Sequence, residues 1–159
     1  MKVQDVMTSP AHSCTPDTSL AAAALAMQEY GCGALPVLDN AGRPVGILTD
    51  RDVCMAVARK NRFPAAIPVR EVMTLNPFTC GPRTDLGYAL SVMADGHIRR
   101  LPVVDSDGRL VGILSFTDVL TSAQEARTVD TPLLRKLVAA SRPLSRPLSS
   151  RQGYTAPPN

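Results

Sequence analysis

The chain has 159 residues, of which 45% are hydrophobic, 19% charged and 4% aromatic, with no Trp. That is enough for one domain, or two small ones packed together, burying roughly 70% of the unfolded surface. The net charge of +3 is uneven: residues 1–126 hold 11 Lys/Arg against 13 Asp/Glu, and residues 127–159 hold 6 against 1. The folded body therefore makes no electrostatic case for nucleic acid, and it has few rings for base stacking.

"MKVQDVMTSP" lacks a signal-peptide core, and the longest apolar run, "LAAAALAM" from Leu20, is too short to cross a bilayer. Neither a leader nor a membrane segment is expected. Cys14, Cys32, Cys54 and Cys80 form no CxxC pair and only His12 and His97 accompany them, so no metal site is expected. Cys14 and Cys80 read as buried small hydrophobes, which fits a reduced, cytoplasmic protein.

In chain order, a short N-terminal turn precedes a brief strand near Ser13–Thr15. Pro16, Asp17 and Thr18 lead into "SLAAAALAMQEY", a helix with Thr18 or Ser19 as N-cap. "ALPVLD" and "PVGILT", joined by the turn "NAGR", predict a hairpin. "DRDVCMAVARK" resumes helical spacing, with Val53, Ala56 and Val57 on one face. Shifting the chain by 66 residues then lays most of it on itself. "VQDVMT" from Val3 meets "VREVMT" from Val69, "CTPDTSL" meets "CGPRTDL", and "LPVLDNAGRPVGILTDRDV" from Leu35 meets "LPVVDSDGRLVGILSFTDV" from Leu101.

The expected architecture is α+β (α/β): two tandem β-α-β-β-α repeats, too small to be comfortable alone, packed as a pseudo-twofold pair. Repeat one covers 1–60, a linker 61–68, repeat two 69–126, and a basic Pro/Ser/Arg-rich tail 127–159. "TPLLRKLVAA" within that tail predicts a short amphipathic helix, and the SRPL repeats after it an extended or disordered segment.

Each repeat ends its hairpin in Gly-x-x-Thr/Ser-x-x-Asp: Gly46, Thr49 and Asp52, then Gly112, Ser115 and Asp118. The Gly falls in a strand, where a missing Cβ lets a flat ligand approach the backbone. The hydroxyl falls at a helix N-terminus, where unpaired N–H groups favour an anion such as phosphate. The Asp falls one turn on, placed to accept hydrogen bonds from a vicinal diol. A ribose phosphate suits this set, but so does a capping box that binds nothing, and the spacing leaves both open. Arg99 and Arg100 enter the second LPV strand, where the first repeat has Gly33 and Ala34. Adjacent residues on a strand face opposite ways, so one arginine is expected to face the inter-repeat cleft and take an anionic partner. An ion pair with Asp95 or Asp118, or solvent exposure, is the alternative.

With "VMT…P", "LPVLD"/"LPVVD" and "GILTDRD"/"GILSFTD" in tandem, the chain resembles the CBS domain pair (Bateman module) family over about residues 3–123. The resemblance implies a pseudo-twofold pair with two clefts, no tightly bound cofactor, and an adenosine-containing ligand: AMP, ADP, ATP or S-adenosylmethionine. The motif Asp would hold the ribose hydroxyls and the Thr/Ser a phosphate, giving Gly46, Thr49 and Asp52 in one cleft and Gly112, Ser115 and Asp118 in the other. Arg99 and Arg100 match basic positions used against phosphates, and adenine would lie near Ser13–Thr15 and Thr79–Gly81. Asp50 adds a negative charge where the second repeat has Phe116, so one occupied cleft is expected rather than two. The resemblance further implies a homodimer and an unidentified regulated partner. No nucleophile motif, P-loop or metal spacing points to an enzyme. The competing function is a ligand-free interaction module acting through its dimer surface or its basic tail.

Overall fold

The computed structural model describes residues 1–125, with backbone only at 124 and 125. The basic tail and the helix predicted within it lie outside the described residues. Two repeats of the same design are present. In the first, helix α1 (Leu20–Glu29) opens on Ser19, whose hydroxyl accepts from the Ala22 amide at 3.2 Å, so Ser19 and not Thr18 is the N-cap. Leu20, Ala23 and Met27 are its buried residues, spaced to share one face. Strands β1 (Ala34–Leu38) and β2 (Pro44–Thr49) pair antiparallel from Ala34↔Thr49 to Val37↔Gly46, with a bulge before Leu38↔Pro44. Asp39 closes the turn, its Oδ1 accepting from the amides of Ala41 and Arg43 at 2.8 and 2.9 Å, and Gly42 supplies the positive φ of 79°. Helix α2 (Asp50–Lys60) follows without a gap. Ala56 is buried and Val53 half-buried on its inner face, while Val57, expected beside them, is exposed.

The second repeat reproduces this with helix α3 (Leu86–Asp95), strands β4 (Arg100–Val104) and β5 (Leu110–Ser115), and helix α4 (Phe116–Glu125). The register from Arg100↔Ser115 to Val103↔Gly112 matches the first hairpin, and Asp105 takes the role of Asp39.

The leading strand of each repeat shrinks to one bridging residue. The Cys14 amide donates to the Pro36 carbonyl at 3.0 Å and its carbonyl accepts from the Leu38 amide at 2.9 Å; Cys80 does the same with Pro102 and Val104, at 3.1 and 2.9 Å. Pro16 and Pro82, two residues on, have no N–H with which to extend a ladder. Cys80 is buried as expected but Cys14 only half-buried, and burial pushes their thiols up to about 12 and about 11 respectively. Both are therefore protonated, unreactive packing groups at neutral pH.

The two repeats exchange their leading segments. Val3 is fully buried in the second core, with Cys80, Leu86, Leu90, Met93, Leu101 and Leu114. Val69, together with Ile67 from the linker, is fully buried in the first, with Leu20, Met27, Leu35 and Leu48. The backbone follows: Val3 N–H donates to Thr84 and Gln4 N–H to Pro82, at 3.0 and 2.9 Å, while Val69 donates to Thr18 and Arg70 to Pro16, at 2.8 and 2.9 Å. The short strand β3 (Thr74–Leu75) adds to the edge of β2, and Thr8 pairs with Ile113 on β5. Each core is thus completed by chain from the other half of the sequence.

Candidate functional site

Both motif copies lie where a strand meets a helix, and both are formed capping boxes. The Thr49 hydroxyl accepts from the Asp52 amide at 3.2 Å, while Asp52 Oδ2 accepts from the Thr49 amide and hydroxyl at 2.9 and 2.7 Å. In the second copy the Asp118 amide donates to Ser115 Oγ at 3.0 Å and the Ser115 amide to Asp118 Oδ2 at 2.9 Å. Capping uses one carboxylate oxygen of each Asp. Oδ1 of Asp52 and of Asp118 makes no hydrogen bond among the described residues, so capping and diol binding are compatible.

The motif glycines do admit a close neighbour, but that neighbour is the chain itself. A Cβ on Gly46 would fall 2.6 Å from Met73 Sδ and 3.2 Å from the Thr74 carbonyl oxygen. A Cβ on Gly112 would fall 2.8 Å from Met7 Sδ and 2.9 Å from the Thr8 carbonyl oxygen. Here glycine lets the exchanged segments lie on β2 and β5. A methionine side chain can swing away, whereas a carbonyl held in a strand bridge cannot. Gly112→Ala is therefore expected to destabilise by about 1–3 kcal/mol, lowering Tm by roughly 3–10 °C, with Gly46→Ala milder. Thermal denaturation of the two variants checks that order.

The two helix N-termini differ in what they leave unpaired. At α2 every early amide is spent: Asp50 N–H donates to the Gly33 carbonyl at 3.3 Å, Arg51 N–H to Asp50 Oδ1 at 2.7 Å, and Asp52 N–H to Thr49. At α4 the Phe116 amide donates to the Arg99 carbonyl at 2.8 Å, and the Thr117 amide has no partner among the described residues. The dipole end of α4 is the one open to an anion, with no carboxylate in the place of Asp50. Asp118 also lines an open pocket of about 280 Å³ with Asp5, Val6, Thr121 and Ser122. At the equivalent places of the first repeat stand Met55, Ala56 and Glu71, and Glu71 is held by Lys60 and Arg62 at 3.0 Å each. Those cations hold the Glu71 carboxyl below its usual range.

Of the two arginines expected to enter the strand, only Arg100 lies on β4; Arg99 falls in the bend just before it. Arg99 is exposed, while Arg100 is half-buried and opposite Ser115 in the ladder. The Arg100 side chain crosses to the first repeat: a Cβ on Gly33 would lie 2.9 Å from Arg100 Nη2 and 3.0 Å from Asp50 Oδ2. Neither guanidinium forms an ion pair or hydrogen bond among the described residues, so the expected alternatives Asp95 and Asp118 are not partners. Sequence reasoning did not place Asp5 and Val6 beside Asp118; the repeated "VQDVMT"/"VREVMT" was the available signal. It also passed over an exposed stack of His12 on Tyr30, with centroids 3.6 Å apart, next to Ser13–Thr15.

Among the described residues no helix is long and apolar enough to cross a membrane, and no group of three His, Cys, Asp or Glu is placed to hold a metal ion.

A family model for the CBS domain matches residues 3–59 and again 69–125. The CBS domain-containing protein YhcV of Bacillus subtilis is 33% identical over 131 residues, 82% of this chain and 91% of that protein. An inosine-5′-monophosphate dehydrogenase of Methanocaldococcus jannaschii is 31% identical over 140 residues, 88% of this chain but 27% of the enzyme. The chain likewise spans 48% of protein MK0525 of Methanopyrus kandleri. Among solved structures, the CBS domain pair of protein MJ0100, in complex with 5′-methylthioadenosine and S-adenosyl-L-methionine, superposes with a TM-score of 0.72 at 26% identity, covering 80% of this chain and 98% of that one. CBSX2 in complex with AMP superposes with a TM-score of 0.68 at 30% identity, with the same coverage. The doubled hairpin-and-helix unit, its matching motif ends and both model matches agree: the chain belongs to the CBS domain family and is a CBS domain pair.

Proposed function

We propose that this protein is a non-catalytic regulatory module that binds an adenosine-containing ligand between its repeats and passes that occupancy to a partner protein. The observation that carries this reading is Arg100, a half-buried residue whose guanidinium reaches Gly33 of the other repeat and has no anionic partner among the described residues. A cation in that position calls for an anion, and phosphate and carboxylate match its fork best. AMP in CBSX2, and 5′-methylthioadenosine with S-adenosyl-L-methionine in the MJ0100 pair, support adenosine as the ligand class. A phosphate suits the second cleft best, where Ser115, the Thr117 amide and Asp118 stand ready for phosphate and ribose, and Gly112 brings the exchanged segment alongside. Thr49 and Asp52, with Gly46, offer the first cleft the same ribose contacts but a closed helix end.

Because each repeat's core holds a segment of the other, a ligand bridging them biases how the halves pack. It does so by no more than its preference for one packing over another. Exposed Leu25, Val57, Tyr88 and Leu120, one on each helix, support a homodimer through the helical faces. Four free cysteines support a reducing, cytoplasmic setting.

A thermal-shift panel of AMP, ADP, ATP and S-adenosylmethionine tests the reading. A ligand at 100 times its Kd adds about 2.7 kcal/mol, which is roughly 5–10 °C in Tm. No shift with any of the four overturns it and leaves both motifs as helix caps.

A further inference from the structure

We infer that Arg100 and Asp50, facing each other across Gly33, make the first cleft selective for an adenosine ligand with a zwitterionic amino-acid head over one with a phosphate. The inference rests on the adenosine reading above. The two groups carry opposite charges and come from different repeats, Arg100 from β4 and Asp50 from the first position of α2. Both lie within 3.0 Å of the point where a Gly33 side chain would begin, yet they form no ion pair. Gly33 puts no side chain between the two charged groups, and a Cβ there would crowd both.

A phosphate bound against this pair would gain the guanidinium but meet the Asp50 carboxylate. It would also find no helix amide, since the Asp50, Arg51 and Asp52 amides are all spent within the chain. An α-amino acid head satisfies both groups at once, its carboxylate on the Arg100 fork and its ammonium on Asp50. In the second repeat Phe116 replaces Asp50 and the Thr117 amide has no partner among the described residues, so a phosphate meets no carboxylate at the position of Asp50 there. The pseudo-twofold clefts are therefore chemically different sites.

Calorimetric titration with three probes tests this: S-adenosylhomocysteine, which has the head; 5′-methylthioadenosine, which lacks it and is uncharged; and AMP. Asp50→Asn keeps an oxygen to accept from the Arg51 amide, so the cap survives. It is expected to weaken S-adenosylhomocysteine tenfold or more and leave 5′-methylthioadenosine within about twofold. Arg100→Gln is expected to do the same, as is Gly33→Ala, which crowds both groups without changing charge. If Asp50→Asn leaves S-adenosylhomocysteine unchanged, or weakens it and 5′-methylthioadenosine equally, the charge-pair assignment is overturned while the adenosine reading stands. If no probe binds the wild-type protein, the adenosine reading falls and this inference falls with it.

Discussion

Removing residues 1–8 is expected to destabilise the second repeat far more than the first, although these residues open the first in sequence. They carry Val3, fully buried among Leu86, Leu90, Met93, Leu101 and Leu114. They also supply the backbone bonds from Val3 and Gln4 to Thr84 and Pro82, from Leu86 to the Met1 carbonyl, and the reciprocal pair between Thr8 and Ile113 at 2.9 and 3.0 Å. Burying one Val side chain is worth about 1.5–3 kcal/mol, and each bond about 0.5–1.5 kcal/mol net. Losing the whole segment therefore approaches the 5–15 kcal/mol that holds a typical domain. Hydrogen exchange read by mass spectrometry checks it. Residues 86–115 should lose protection, while 20–49 keep most of theirs, because the first core is completed by Ile67 and Val69 instead. Equal loss in both regions, or loss in neither, would mean that the exchanged segment does not hold the second core. Val3→Ala should show the same regional bias at smaller size.

Asp118→Asn is expected to weaken AMP binding by roughly 10–100-fold, and Asp52→Asn by less than about threefold. A charge-assisted hydrogen bond contributes about 1.5–3 kcal/mol, and 1.4 kcal/mol is tenfold in Kd. Both substitutions keep an oxygen for the Ser115 or Thr49 amide, so the caps survive and the comparison isolates the free carboxylate oxygen. The difference comes from the helix ends: α4 leaves the Thr117 amide unpaired, while α2 has spent its amides and adds Asp50. Calorimetry on both variants decides. The reverse order would falsify the assignment of phosphate to the second cleft.

The repeat, the order of its elements, the two hairpins and the placing of Thr49, Asp52, Ser115 and Asp118 at strand-to-helix junctions were all legible in the sequence. Each is a local matter. A β-branched or leucine run bounded by Asp-x-x-Gly makes a hairpin, as Asp39 with Gly42 and Asp105 with Gly108 do. A hydroxyl three residues before a carboxylate makes a cap, whatever packs around it. The asymmetry of Asp50 against Phe116 was visible too, but not its consequence.

Three things were decided only by tertiary packing. Val3 and Val69 completed the opposite cores, Met7 and Met73 filled the space beside Gly112 and Gly46, and Arg100 crossed to Gly33 and Asp50. Hydrophobic periodicity tells which face of an element is buried, not which neighbour buries it. Two repeats with nearly the same pattern offer nearly the same surface, so the pattern cannot say whether a leading segment folds onto its own copy or the other. A missing Cβ likewise announces that something comes close without naming it. The direction of a long side chain such as Arg100 depends on where the opposite sheet stands, and only the packed pair sets that.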